Sequence, residues 1–202
     1  MLMKRFAVSF AAFLCAALIL SVTAFAAEKI TAYDGIKSSY YADKSASFGK
    51  EIDITDSYET LGVQAKAKTD ELIPIYYTDT ESAEKLQNMF TEISHGKSLE
   101  SFLIPKNQYF AFAYDGDKVV GYCILSDKLE MQEVGELNEF NNPTLRLNSK
   151  ATKALSSIDL NSASAKYCII SGFAVGTLIY DSNSEFFISS VECLETADVL
   201  SV

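Results

Sequence analysis

Residues 107–126 read NQYFAFAYDGDKVVGYCILS, and this stretch decides the fold. Two runs rich in apolar and aromatic residues flank a turn centred on Asp115-Gly116, and an Asp-Gly turn in such a setting is the strongest local signal of a β-hairpin. Alternate side chains of a strand point to opposite faces, and neither face of this hairpin is polar. The pattern therefore predicts a central hairpin of an antiparallel sheet, covered on one side by helices and partly covered on the other.

A second long β run occupies residues 166–191 and is predicted to form a second hairpin. Gly172 and Gly176 inside its first half indicate a bulge, a bend or a close neighbour. Apolar residues at steps of three and four predict helices at about residues 80–94 and 148–158. The predicted fold is α+β, a mainly antiparallel sheet of two hairpins, at about 107–126 and 166–191, with both helices packed on one face.

The first helix and the strand before it carry signals at their ends. Thr78 with Glu81 three residues later is typical of a capping box, and Gly96 stands where a helix ends. Leu72–Tyr77 is a strand candidate, and Pro74 within it predicts an edge strand because proline cannot donate to a ladder.

Residues 1–26 have the pattern of a secretory signal peptide. Lys4 and Arg5 precede an uncharged apolar run, and Ala24-Phe25-Ala26 supplies the small residues of a cleavage site after Ala26. A retained membrane anchor is the alternative. The predicted organisation is a leader at 1–26, a partly mobile N-terminal arm at 27–70 and one α+β domain at 71–202, in a secreted or extracellular protein.

The chain is acidic, and this limits its partners. Its formal charge is −10 with a pI near 4.6, and loss of Lys4 and Arg5 on cleavage would leave −12. Such a charge argues against nucleic acid and against an anionic membrane surface as partner, because both carry negative phosphates.

Three cysteines follow the predicted cleavage site: Cys123, Cys168 and Cys193. The odd number leaves three buried thiols, one disulfide with a free thiol, or a reactive cysteine as the alternatives. His95 is the only histidine and lies at the end of the first predicted helix, where a cation suits the helix dipole.

The residue inventory excludes the common catalytic sets. Any Ser-His-Asp or Cys-His arrangement would have to use His95, and the chain has no G-x-S-x-G motif, no Walker loop and no G-x-G-x-x-G. Closely spaced Cys or His pairs for zinc are also missing. We therefore predict no catalytic residues, no cofactor and no metal site.

The hairpin YFAFAYDGDKVVGYCILS resembles the central hairpin of the GNAT acetyltransferases, and Gln132-Glu133-Val134-Gly135-Glu136 stands where that family keeps its pyrophosphate loop. The resemblance ends there. Leu137 replaces the small last residue of the loop, and Glu133 and Glu136 would repel a pyrophosphate. We assign the chain to no family.

Three functional hypotheses follow. The first is a secreted or cell-surface non-catalytic module that binds another protein or a cell-wall component. The second is a small-ligand carrier, in which small residues leave a cavity between sheet and helices: Ala111, Ala113, Gly121, Gly172 and Gly176. The third is a hydrolase that pairs an exposed cysteine with His95. Strand order and oligomeric state are not predicted.

Overall fold

The computed structural model describes residues 40–137, 156–159, 162–189 and 193–195. The predicted leader lies outside these residues, as does most of the predicted second helix. Two short 3-10 helices cover Thr55–Leu61 and Leu99–Phe102. The α-helices are α1 Ser45–Phe48 and α2 Ala83–Ser94. The strands are β1 Glu51–Asp53, β2 Lys66–Lys68, β3 Ile73–Thr78, β4 Leu103–Asp115, β5 Lys118–Ser126, β6 Met131–Gly135, β7 Ser164–Ile170, β8 Ala174–Tyr180, β9 Glu185–Ser189 and β10 Cys193–Glu195.

All ten described strands belong to one sheet. The order along the main path is β1-β2-β4-β3-β7-β8-β9-β10. Outside this path, β5 pairs with β4, and β6 pairs with β5. The described pairs are antiparallel except for β3 and β7, which run parallel in the middle. The mixed α+β character is as predicted, but a sheet of two hairpins is wrong, because β3 and four other strands belong to the same sheet as the strands of the predicted hairpins.

The hairpin at residues 107–126 is confirmed. β4 and β5 pair antiparallel from Gln108 opposite Ser126 to Asp115 opposite Lys118. This register leaves a two-residue turn of Gly116 and Asp117, in which Gly116 has φ 59°. The turn is therefore centred one residue later than the predicted Asp115-Gly116. Glycine adopts that positive φ without the steric strain of a Cβ atom.

The β run at 166–191 folds as three strands rather than as one hairpin. Gly172 has φ 77° and lies in a tight turn, where the Phe173 N–H donates to the Ile170 carbonyl at 2.9 Å. The turn divides the first part of the predicted run into β7 and β8, and β9 follows after a second turn at 181–184. Gly176 is instead a site of close approach, because a Cβ atom there would lie 2.4 Å from the Ile188 carbonyl oxygen.

The prediction that Pro74 marks an edge strand is wrong, because β3 lies between β4 and β7. Pairing with β7 begins one residue later, at Ile75 opposite Tyr167. The register with β4 shifts between Pro74 and Tyr76. The strand irregularity at Pro74 therefore removes the need for an N–H at that position, and proline is tolerated in a central strand.

The N-cap of helix α2 lies four residues later than its predicted capping box places it. Ser82, not Thr78, is the N-cap, and its Oγ accepts from the Lys85 N–H at 3.2 Å. Thr78 ends β3 and its hydroxyl hydrogen-bonds to that of Thr80 at 2.7 Å. Gly96, with φ 91°, follows the helix as predicted. Of the second predicted helix, only residues 156–158 are described, and these form a turn.

Residues 40–70 of the predicted arm are part of the sheet domain. β1 and β2 pair with each other, and Lys66 of β2 pairs with Tyr114 of β4. Ile54 and Tyr58 are both 4% exposed and pack in the core. β1 is the first strand in the order and therefore lies at an edge of the sheet.

The sheet has two different faces. One carries the small side chains of β4 and β5, which cluster with Tyr58, while Met89 and Ile93 of helix α2 lie in a separate buried cluster with Cys168 and Leu178. The opposite face, called the aromatic face here, is built on buried Tyr40, Ile73, Ile75, Phe110, Phe112 and Tyr167. Within the described residues, no helix is long and apolar enough to cross a membrane.

Candidate functional site

Three aromatic rings at the centre of the aromatic face contact one another. The Phe110 ring stacks on the Tyr122 ring with 5.2 Å between centroids and 8° between planes. It meets the Tyr167 ring edge-to-face at 5.8 Å. Phe110 and Tyr167 are buried, and Tyr122 is half-buried. Strand alternation places these rings on one face. Phe110 and Tyr122 lie on the neighbouring antiparallel strands β4 and β5, and the pairing of β3 with β7 puts Tyr167 on the same face.

A cleft of about 410 Å³ lies over these rings. This volume is within the range of small-molecule sites in proteins, about 300 to 1,000 Å³. The cleft crosses six neighbouring strands of the sheet, β6, β5, β4, β3, β7 and β8. Its lining is Ile75, Lys106, Gln108, Phe110, Tyr122, Ile124, Gln132, Glu133, Tyr167, Ile169 and Val175.

Polar groups enter the cleft from β4 and β6. The Gln108 amide nitrogen donates to the Gln132 side-chain oxygen, while the Gln108 side-chain oxygen is shielded from solvent and has no hydrogen-bond partner. The Tyr122 hydroxyl donates to a Glu133 carboxylate oxygen at 2.7 Å, which fixes that carboxylate beside the rings. Lys106 is exposed and forms no ion pair with a described carboxylate.

Tyr167 also lines a second, smaller cavity of about 200 Å³. Burial raises the pKa of the Tyr167 hydroxyl well above its usual value, so this group is a neutral donor or acceptor at physiological pH. The smaller cavity lies where β3 and β7 begin. Its other lining residues are Tyr40, Tyr41, Pro74, Tyr76, Ser164, Ala165, Lys166 and Tyr180.

The cleft is not where the sequence predicted a cavity. Ala111 and Ala113 are buried on the opposite face, in a cluster with Tyr58. A Cβ atom on Gly121 would lie 2.7 Å from the Tyr58 hydroxyl and 2.5 Å from the Gly135 carbonyl oxygen. The space above these small residues is therefore filled by Tyr58, which comes from the 3-10 helix at 55–61 rather than from an α-helix.

Neither described cysteine side chain is suited to catalysis. Cys123 and Cys168 are free thiols with no exposed surface, and each lies in a buried cluster separate from that of the aromatic face. Burial raises the pKa of each thiol to about 12, so the reactive thiolate is not formed near neutral pH. His95 is the exposed C-cap residue of α2. A hydrolase that uses Cys123 or Cys168 with His95 does not fit this arrangement.

The segment compared with a pyrophosphate loop has a different structure. Gln132–Gly135 belongs to strand β6 and pairs with β5, so its backbone N–H groups are not gathered around a phosphate. Among the described residues, no group of three or more acidic, histidine or cysteine side chains could hold a metal ion.

The residues of the cleft were not predicted from the sequence. One signal was available, because Lys106, Gln108 and Phe110 alternate along β4 and share a face. The contribution of β6, β7 and β8 depends on strand order, which the sequence does not reveal. In comparisons with known proteins, no family model, no curated protein and no solved structure matches the chain.

Proposed function

We propose that the protein is an exported, non-catalytic binding protein and that the cleft on its aromatic face is the site where a small ligand binds. The observation that carries this proposal is the cleft itself, which combines an aromatic floor, aliphatic walls and four convergent polar side chains: Lys106, Gln108, Gln132 and Glu133. Apolar walls with a few polar groups are the usual composition of a small-molecule site.

A non-catalytic role agrees with the chemistry of the lining. Glu133 already accepts a hydrogen bond from the Tyr122 hydroxyl, and of the described side chains Cys123, Cys168 and His95 do not line the cleft. Export rests on the leader pattern at 1–26. Binding of another protein or of a cell-wall component stays a prediction from the sequence. Among the described residues, the exposed large apolar side chains are spread over four elements and one turn: Phe48, Ile104, Val119, Val134 and Phe173.

The site can be tested with phenol as a probe and methyl-labelled protein. Phenol should shift the methyl resonances of Ile124, Ile169 and Val175 in the cleft but not those of Ile93, which packs in a different buried cluster. Val175→Trp should fill the cleft and abolish the shifts. Val119→Trp, on an exposed valine outside the cleft, is the matched control and should retain them.

The result that would overturn the proposal is equally specific. A folded Val175→Trp variant that keeps the same phenol-induced shifts would show that phenol does not occupy the cleft. Export is tested separately, by producing the full chain in a bacterium with a secretory pathway and measuring the mass of the released protein. A chain that begins at Ala27 is expected, and a full-length chain retained in the membrane would contradict export.

A further inference from the structure

We propose that the ligand of the cleft is a small organic ammonium ion with an apolar body, an inference that rests on the proposed binding function. Two groups of the described lining can accept a hydrogen bond from a ligand, the Glu133 carboxylate and the shielded Gln108 side-chain oxygen. The binding site therefore requires a donor from its ligand, and a positive charge suits it.

The Glu133 carboxylate supplies the negative charge of the cleft. Phe110 pairs with Ile124 across β4 and β5, and Ile124 pairs with Glu133 across β5 and β6. Glu133 thus lies in the same row as the stacked ring of Phe110. The Tyr122 hydroxyl holds one carboxylate oxygen at 2.7 Å, and the second remains for a ligand. A carboxylate accepts hydrogen bonds from an ammonium group more strongly than from a neutral donor.

Gln108 supplies a second acceptor, two residues from Phe110 on β4. Its side-chain oxygen has no partner and is shielded from solvent, an arrangement that is costly and uncommon in folded proteins. Rotation about the last side-chain bond of glutamine is nearly free, so this oxygen can turn toward a donor in the cleft. Gln132, which now accepts from the Gln108 amide, is exposed and can follow that movement.

Among the described residues of the lining, Lys106 is the only cationic side chain. Its position explains why a cationic ligand can still bind in the cleft. Lys106 lies four residues from Phe110 on β4, in the stretch where the register with β3 shifts and next to Asn107, whose φ is 55°. Lys106 and Glu133 are both exposed, so water screens both charges, and of the two Glu133 is held beside the rings by the Tyr122 hydroxyl. An ammonium group at Glu133 and Gln108 would lie nearer to these acceptors than to Lys106, with its apolar body against Ile124, Ile169 and Val175.

The test uses three probes with the same phenyl body and different ends: phenethylamine, phenethyl alcohol and hydrocinnamate. Dissociation constants are measured at pH 7 from the methyl shifts of the cleft. Phenethylamine should bind about tenfold more tightly than phenethyl alcohol, because hydrogen bonds to charged groups contribute roughly that factor more than neutral ones. Hydrocinnamate should bind more weakly than either.

Three substitutions check the assigned residues. Glu133→Gln keeps the shape of the side chain and should weaken phenethylamine about threefold while leaving phenethyl alcohol unchanged. Gln108→Leu should reduce the preference for the amine over the alcohol. Lys106→Gln should strengthen amine binding about twofold, since an exposed like charge is removed. Glu84→Gln, exposed on helix α2, is the control and should change nothing.

The opposite pattern would overturn the inference. Tighter binding of hydrocinnamate than of phenethylamine, or weaker amine binding in Lys106→Gln, would assign an anionic ligand to the cleft. Equal affinities for all three probes would show that the charged end of the ligand contributes nothing to binding. In each of these cases the methyl shifts still locate a ligand in the cleft, so the inference fails while the proposed binding function stands. Absence of cleft shifts with every probe would overturn both.

Discussion

Tyr58 should be among the most important single side chains for the stability of this fold, because it fills the space above the small residues of β4 and β5. It is 4% exposed, and its hydroxyl donates to the Tyr122 carbonyl at 2.7 Å. Removal of a buried aromatic ring costs about 3 to 5 kcal/mol of unfolding free energy. Loss of the hydroxyl alone costs about 1 kcal/mol. We therefore expect about 4 kcal/mol for Tyr58→Ala and about 1 kcal/mol for Tyr58→Phe.

Gly121 allows the same contact to be tested from the opposite side. A Cβ atom there would lie 2.7 Å from the Tyr58 hydroxyl and 2.5 Å from the Gly135 carbonyl oxygen, so Gly121→Ala should cost about 1 to 3 kcal/mol. In the Tyr58→Ala background the first of these clashes disappears. The two substitutions should therefore be non-additive, with the double variant about 1 kcal/mol more stable than the sum of the single effects predicts.

The assay is urea unfolding followed by far-ultraviolet circular dichroism, since the chain has no tryptophan. Gly176→Ala is the matched control, because its new Cβ atom would meet the Ile188 carbonyl oxygen at 2.4 Å and not Tyr58. It should destabilise the protein to a similar extent but combine additively with Tyr58→Ala. Additive effects of Tyr58→Ala and Gly121→Ala, or a cost below about 1 kcal/mol for Tyr58→Ala, would refute the reasoning.

Three further predictions concern pH, the helix start and a turn. Burial raises the pKa of the thiols of Cys123 and Cys168 to about 12, whereas unfolded thiols ionise near 9, so stability should be lost as pH rises from about 9 to 12, by about 1.4 kcal/mol per unit for each thiol. Urea midpoints from pH 8 to pH 10 should fall less steeply when both are alanine, and equal slopes would contradict this. Ser82→Ala should cost about 1 kcal/mol in urea unfolding and Glu81→Ala less than about 0.5, because Ser82 is the N-cap; the reverse order would favour the capping box. Gly172→Ala should cost about 1 kcal/mol at its φ of 77°, Gly172→Asn clearly less, and equal costs would argue against a left-handed backbone at the turn.

The strand signals of this chain were easier to interpret than the helix and packing signals. Asp115-Gly116 predicted the turn between β4 and β5 because a local backbone requirement and a residue type coincide. Thr78 and Glu81 have the spacing of a capping box, yet Thr78 remains in β3, where its hydrogen bond to Thr80 and its pairing with β7 take priority. The prediction that Pro74 marks an edge strand was wrong for a similar reason. The irregularity that tolerates proline there arises only when β3 pairs with both β4 and β7.

The candidate site shows the same division. Alternation along β4 fixes Lys106, Gln108 and Phe110 on one face, and this is a property of any strand. That Glu133, Tyr167 and Val175 join them depends on which strands become neighbours across long stretches of chain. No local pattern encodes that order.

By itself, the sequence determined the apolar hairpin at 107–126, the acidic charge and the location of helix α2, because each depends on nearby residues or on composition. The tertiary structure alone decided that β3 runs parallel to β7 in the middle of the sheet, that Tyr58 fills the space above Gly121, and that the cleft opens on the aromatic face. These features arise from contacts between residues far apart in the chain, whose free energies are realised only when the strands have assembled.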